Sequence, residues 1–368
     1  MNNRLREIGL ALGLSRGLSL GLCLAMLIAL VPGQGMAGEP ALAEKLRRAF
    51  ADGELPGLHS ALIIHRGRTL AEVHFPGNDQ RWGAPLGVRQ HGPETLHDLR
   101  SVTKSIVSLI YGIALSEGLV PPVDDVLLDH FPAYADLAED PARRRILVRH
   151  ALSMKMGTEW NENLPYTDPR NSEIAMEMAA DRYRFILDRP IVAEPGSQWN
   201  YSGGATALIA RLIAQGTGRP IDAYARERLF APLGITDFEW VKGADGEPSA
   251  ASGLRMNIHD LAKIGLMIQD RGRFAGKQVV PEDWLSAAFK PRADLQGGLR
   301  YGFFWWLHPA GDPPLGVGAF GNGGQRLSIG FESGLTVVVL AGNYNDPAAW
   351  RIPVKVITDF AVPAIKDD

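Results

Sequence analysis

The sequence predicts an α+β fold in which one antiparallel sheet is built from both chain termini, flanked by helices, with an all-helical region inserted between. Three observations carry this reading. Apolar, β-favouring runs lie near the start, at 58–65 and 69–75, and comparable runs return only near the end, at 327–331 and 335–341. Between them the chain reads as helical pieces broken by Pro and Gly. Strands and helices segregated in this way argue against an alternating βαβ order. Residues 38–120 and 293–368 are expected to form the α/β part and residues 121–292 the helical part. With 368 residues, 46% of them hydrophobic and 21% charged, the chain can bury an ample core.

Taken in order, Arg4, Arg6 and Arg16 precede an uncharged apolar run at 18–31, too short to span a bilayer comfortably. Pro32, Gly33 and then Gly35-Met36-Ala37 follow, with small residues placed for a cut after Ala37. A secretory signal over 1–37 is expected, with the mature protein periplasmic or secreted and meeting membrane only through that signal. The single Cys23 sits inside the run, so the mature chain lacks both a disulfide and a thiol nucleophile.

A charged stretch at 41–51 should be helical, and the runs at 58–65 and 69–75, joined by Arg66-Gly67-Arg68, read as a hairpin. Asp98 is placed to cap a helix that runs to about Leu115 and stops at Gly118. Further helices are expected at 204–216 and 257–271, an early strand of the terminal sheet at 302–306, and a last helix at 346–361. The turn Glu332-Ser333-Gly334 separates the late strands.

A formal net charge of −3 and the absence of a Lys/Arg-rich run exclude the electrostatic footprint of a nucleic-acid binder. The nine histidines show no His-Glu-x-x-His and no close pairing of the zinc-site kind, so neither a metal nor an organic cofactor is expected. His150, at a helix start, reads as structural. Gly13-x-Ser15-x-Gly17 and Gly17-x-Ser19-x-Gly21 match the nucleophile-elbow pattern but sit in the leader and follow no strand.

Ser101-Val102-Thr103-Lys104 is the chain's Ser-x-x-Lys, placed on the first turn of the helix near Asp98. Residues three apart share a helical face, so the amine can reach the hydroxyl, and the helix N-terminus should favour the alkoxide and lower the lysine pKa. Alone the motif is weak, since a Ser beside a solvated Lys is common. Tyr201-Ser202-Gly203-Gly204 lies in a loop before an apolar helix, where a phenol beside a cationic amine has a depressed pKa and can serve as base and then acid. Gly321-Asn322-Gly323-Gly324-Gln325 opens the late strand pair; its glycines let a substrate approach, and the Gln325 N–H can join that of Ser101 as an oxyanion hole. Each of the last two segments is equally readable as an ordinary loop.

In this order the three segments resemble the active-site motifs of the serine β-lactamase and penicillin-binding superfamily. Within it the chain is similar to the branch holding class C-type β-lactamases, their esterase relatives and nylon-oligomer hydrolases. The resemblance runs from Leu58 to Gly342 and includes Val148-Arg149-His150-Ala151-Leu152-Ser153-Met154, Ala193-Glu194-Pro195-Gly196 and Gly253-Leu254-Arg255-Met256. It implies a Ser101 acyl-enzyme, with Lys104 and Tyr201 sharing the general-base role. Two departures bear on substrate. Gly203 stands where the family often has the Asn of Tyr-x-Asn, and Asn322 stands where it usually has Lys or His. Without that cation a penicillin or D-alanyl carboxylate should be held more weakly, although Arg326 can partly substitute, so a small ester, amide or short peptide is the expected substrate. A D-alanyl carboxypeptidase or β-lactamase, and a non-catalytic binding protein on the same scaffold, are the alternatives. The resemblance also places Trp160, Tyr166, Trp305 and Trp306 near the cleft mouth, with at most one of the last two facing substrate.

Overall fold

The computed structural model describes residues 39–308 and 311–366. The expected leader and its cleavage site lie outside those residues. The described residues form one compact unit. Among the described residues no helix is long and apolar enough to cross a membrane.

Eight strands make the main sheet: β1 (Leu58–His65), β2 (Arg68–His74), β3 (Ala293–Asp294), β4 (Arg300–Tyr301), β5 (Trp306–Leu307), β6 (Gly316–Gly321), β7 (Gln325–Gly330) and β8 (Leu335–Ala341). Their spatial order is β3-β4-β5-β6-β7-β8-β1-β2, antiparallel throughout, so the two ends of the chain meet where Ser60 pairs with Leu340 and Ile63 with Val337. The expected sheet is therefore formed, with β8 at the anticipated bounds. One difference is the strand expected at 302–306, which is broken between β4 and β5 by Phe304 at φ 61°. A second is β6, whose Gly-Val-Gly-Ala-Phe-Gly has little intrinsic β preference and forms because both its neighbours pair with it.

Alternation along the strands gives the sheet two apolar faces. Leu62, Leu327, Ile329, Val338 and Leu340 join the larger core with α2 (Val102–Ser116), α3 (Gly203–Thr217) and α4 (Ile258–Gln269). Ala61, Ile63, Val337 and Val339 join a second core with α1 (Glu39–Ala51) and the C-terminal helical turns that begin at Arg351. Every residue of α2 from Val102 to Ala114 is buried, including the polar Thr103, Lys104, Ser105 and Ser108, in a mostly apolar helix that runs through the core. Asp98 does not cap it. Asp98 ends a short strand, His97–Asp98, in a three-stranded side sheet, and its buried carboxylate holds Arg255 Nε at 2.7 Å and the Trp82 N–H at 2.6 Å. The polar segment before it also forms a hairpin that sequence did not signal, Gly77–Arg81 against Ala84–Arg89.

Candidate active site

Arg100 enters α2 at φ 50°, a left-handed conformation that is costly for a side-chain-bearing residue. It is held there by Asp98, 3.3 Å from Arg100 Nε, and by the Tyr344 ring 5.1 Å from the guanidinium carbon. This turn delivers Ser101 to the N-cap of α2, yet the Ser101 side chain makes no cap hydrogen bond. Its hydroxyl instead accepts from Lys104 Nζ at 3.0 Å, the contact expected of residues three apart on a helix. Both side chains are buried.

Lys104 also donates to the Ala251 carbonyl at 3.0 Å and to Glu173 Oε2 at 3.3 Å, and its ammonium lies 4.8 Å from the centre of the Tyr201 ring. Glu173 is itself buried and takes a second bond, 2.7 Å, from the Ser252 hydroxyl. Gly203 makes room for it: a Cβ there would stand 2.6 Å from Glu173 Oε2. The residue at the expected Asn position is thus the small residue that a neighbouring carboxylate requires. Close by, Glu162 accepts from Trp160 Nε1 at 2.6 Å, from the Tyr166 hydroxyl at 3.0 Å and from the Gly203 N–H.

These two carboxylates reverse the electrostatics expected from sequence. Burial alone would pull Lys104 down, but Glu173, Tyr201 and Glu162 outweigh it and hold the amine above its ordinary range. Burial pushes the Tyr201 phenol up, and the lowering by Lys104 and Ser101 does not overcome burial combined with Glu162 and Glu173. Glu162 is pushed up to about 7 by burial and by Glu173, with Lys104 pulling the other way. The resting arrangement is an ammonium, a neutral phenol and a carboxyl that titrates near neutrality. Nothing in the sequence signals Glu162, in a loop, or Glu173, on the short helix Ser172–Glu177, two acids among several in a stretch that carries no motif.

The late glycine segment is placed with more precision than its pattern allowed. β6 ends at Gly321, whose added Cβ would lie 2.3 Å from the Leu99 carbonyl and 3.2 Å from Arg100 Cβ, so this strand end abuts the backbone leading into Ser101. Asn322, Gly323 and Gly324 form the turn, the glycines at φ 91° and 98°. Asn322 is clipped to Asn345 by bonds of 3.1 and 2.8 Å. Gln325 heads the next strand, and its carboxamide is spent on Ala341, donating at 2.6 Å and accepting at 3.0 Å.

Ser101 opens into a cavity of about 130 Å³ that includes Tyr166, Glu173, Arg100 and Asn322. Tyr166, Asn322 and Asn345 are shared with a wider cavity of about 420 Å³ lined by Glu162, Gly323, Gly324, Gln325 and Arg326. A still larger cavity, about 800 Å³, lies around Leu285 and Phe331 and does not include Ser101. Tyr166 is thus a cleft residue, whereas Trp160 is buried behind it against Phe185. Trp305 is wholly buried, whereas Trp306 lies beside Tyr201, 6.0 Å between ring centres, as does Trp199. Trp306 stacks on Phe320 at 5.0 Å, and Phe320 carries the Arg326 guanidinium 3.4 Å above its ring. Arg326 is buried without an acidic partner among the described residues, and desolvation pushes it down to about 9.

Comparison with known proteins places most of the chain in one family. A family model described as Beta-lactamase matches residues 42–350. A 6-aminohexanoate-dimer hydrolase of Paenarthrobacter ureafaciens is 25% identical over 338 residues, covering 84% of this chain and 76% of the relative. A lovastatin esterase of Penicillium rubens is 25% identical over 244 residues, 56% of this chain and 58% of the relative. Among solved structures, an octameric penicillin-binding protein homologue from Pyrococcus abyssi superposes with a TM-score of 0.64 at 19% identity, covering 86% of this chain and 76% of that one.

Proposed function

The chain belongs to the β-lactamase family and has its fold, and from that premise we propose that it hydrolyses a small ester or amide through an acyl-enzyme on Ser101. The observation that carries the proposal is the buried contact of Ser101 Oγ with Lys104 Nζ at 3.0 Å, with the Tyr201 ring 4.8 Å from the same Nζ. A serine flanked by an ammonium and a phenol has a partner for each proton that must move.

Lys104 is held protonated and Tyr201 neutral at rest, so the reactive form is the one in which Tyr201 has given its proton to solvent; its phenolate, beside the Lys104 ammonium, then accepts the Ser101 proton. Attack of Ser101 Oγ on the substrate carbonyl gives a tetrahedral oxyanion, held by the Ser101 N–H at the start of α2 and by a backbone N–H of the glycine segment. Within that segment the Gln325 N–H, at the head of the strand that follows the glycine turn, is the expected donor. Tyr201 then returns the proton to the leaving alcohol or amine. Water enters, Tyr201 takes its proton, and collapse of the second intermediate frees the acid and restores the Ser101 hydroxyl. No step requires a metal or organic group.

The ester or amide preference over β-lactams rests on Asn322, which is neutral and tied to Asn345 where a cation would serve a β-lactam carboxylate. Arg326 offers a cation deeper in the wide lobe, suited to a carboxylate further from the scissile bond. Intact-mass analysis after exposure to nitrophenyl esters, amides of short amino acids and a cephalosporin tests the reading. We expect an adduct on Ser101 from the first two groups and turnover of a short-chain ester faster than of the cephalosporin. Ser101→Ala should lose the adduct and at least ~10³-fold of the activity. Faster cephalosporin turnover would favour the β-lactamase alternative, and no adduct from any of them the binding-protein alternative.

A further inference from the structure

Away from Ser101, four side chains that are distant in sequence converge in the interior. His59 comes from β1, Asp79 from the strand Gly77–Arg81, His91 from the loop after Ala84–Arg89, and His97 from the strand His97–Asp98. One ligand atom from each lies within 4.8 Å of every other. His59 Nδ1 is 2.9 Å from His97 Nε2, while Asp79 is 3.7 Å from both His97 Nε2 and His91 Nε2. Ligands on a tetrahedral zinc ion, with bonds of ~2.0–2.1 Å, stand about 3.3–3.4 Å apart, between these values.

The hydrogen-bond directions single out a cation. His91 Nδ1 is 2.9 Å from the Phe75 carbonyl and His97 Nδ1 is 3.0 Å from the Asp98 carbonyl. A carbonyl only accepts, so both Nδ1 atoms donate outward, which leaves both Nε2 atoms facing inward, that of His97 in its 2.9 Å hydrogen bond with His59 Nδ1. Asp79 Oδ1 is held from outside by the Gln80 N–H at 2.8 Å and the Tyr344 hydroxyl at 3.4 Å. Asp79 Oδ2 and His91 Nε2 are buried with no hydrogen-bond partner. Ligating imidazoles anchored by backbone carbonyls, and a carboxylate anchored through its other oxygen, are the outer contacts by which proteins orient metal ligands. Asp79 Oδ2 and His91 Nε2, buried 3.7 Å apart, are unfavourable neighbours unless something positive sits between them.

We propose that His59, Asp79, His91 and His97 bind one Zn²⁺ in a closed, four-coordinate structural site. The His59 and His91 rings, stacked at 4.0 Å, swing apart as the ion enters. Three nitrogens and one carboxylate oxygen suit zinc, and four protein ligands leave no position for substrate. The ion fastens the hairpin at 77–89 and the loop after it to β1. It also reaches the nucleophile, because His97 precedes the Asp98–Arg100 turn and Tyr344 touches both Asp79 and Arg100. Residues 39–368 hold no cysteine, so such a metal supplies the cross-link that a disulfide cannot.

The test uses the full chain, stripped with a chelator and dialysed. Zn²⁺ should bind at one equivalent by calorimetry and raise the thermal midpoint by about 5 °C or more. Co²⁺ in its place should give the visible absorption of a four-coordinate site. Asp79→Asn and His91→Ala, each checked for folding by near-UV circular dichroism, should bind Zn²⁺ at least tenfold more weakly. Zn²⁺ binding that leaves the midpoint unmoved, a six-coordinate Co²⁺ spectrum, or affinity unchanged in a folded variant would overturn the proposal. Where neither variant folds, the Co²⁺ spectrum of the unaltered chain decides.

Discussion

At the scale of single residues, the site is governed by two acids that no motif announces. Ser101 and Lys104 are legible because their contact is local, three residues apart on a helix, and Tyr201 is legible as a motif. Glu162 and Glu173 act through space, and only the fold brings their charge to Lys104 and Tyr201. Since Glu162 raises both groups, Glu162→Gln should move the alkaline rise of kcat/KM to lower pH whichever of them is the base. The same change has a stability signature. Glu162 titrates at about 7 in the folded chain against an ordinary 4.5, so the native state holds the extra proton between those values and stability falls as pH rises through that window. Glu162→Gln should flatten that decline. A pH–rate profile and unfolding midpoints at pH 5 and pH 8 check both; an unmoved alkaline limb would remove Glu162 from the electrostatics of the nucleophile.

Among elements, those with strong periodicity are legible and those fixed by packing are not. α2 and α4 follow from their apolar patterns, and Asn257 caps α4 as an N-cap residue should, accepting from the Asp260 N–H. β6 and the hairpin at 77–89 were missed because glycine and polar residues carry no strand signal. The histidine cluster was missed for a related reason, since its spacing follows from the pairing of separate elements. Helix α2 shows how packing overrides propensity. Gly112 lies in its interior, where Ala is ordinarily better by ~1 kcal/mol. Here a Cβ would stand 2.0 Å from Trp284 Cδ1, and Trp284 is pinned by its 2.9 Å bond to the Ser108 carbonyl. Gly112→Ala should therefore destabilise by about 1–3 kcal/mol, read from urea unfolding. A gain in stability would mean that Trp284 can move.

Over the whole molecule, the decisive feature is a sheet closed by its two ends, with β1 beside β8. Each outer layer is therefore incomplete until nearly all of the chain is present. On one face α1 covers β2, while Ile352 and Val356 of the C-terminal helical turns pack into the core formed by Ala61, Ile63, Val337 and Val339. Buried aliphatic side chains of this kind contribute roughly 1.5–3 kcal/mol each, so losing the segment removes a large fraction of a marginal stability. It also leaves the paired central strands with a bare apolar face. A chain ending at Asn345 keeps Ser101, Lys104, Tyr201, Glu162, Glu173 and every strand, yet it should accumulate as aggregate and bind a hydrophobic dye when refolded. Val356→Asp, placing one charge in the same layer, should lower the unfolding midpoint without touching the catalytic cluster. If the shortened chain stays soluble with an unchanged midpoint, the second core is dispensable and the sheet is held by its other face alone.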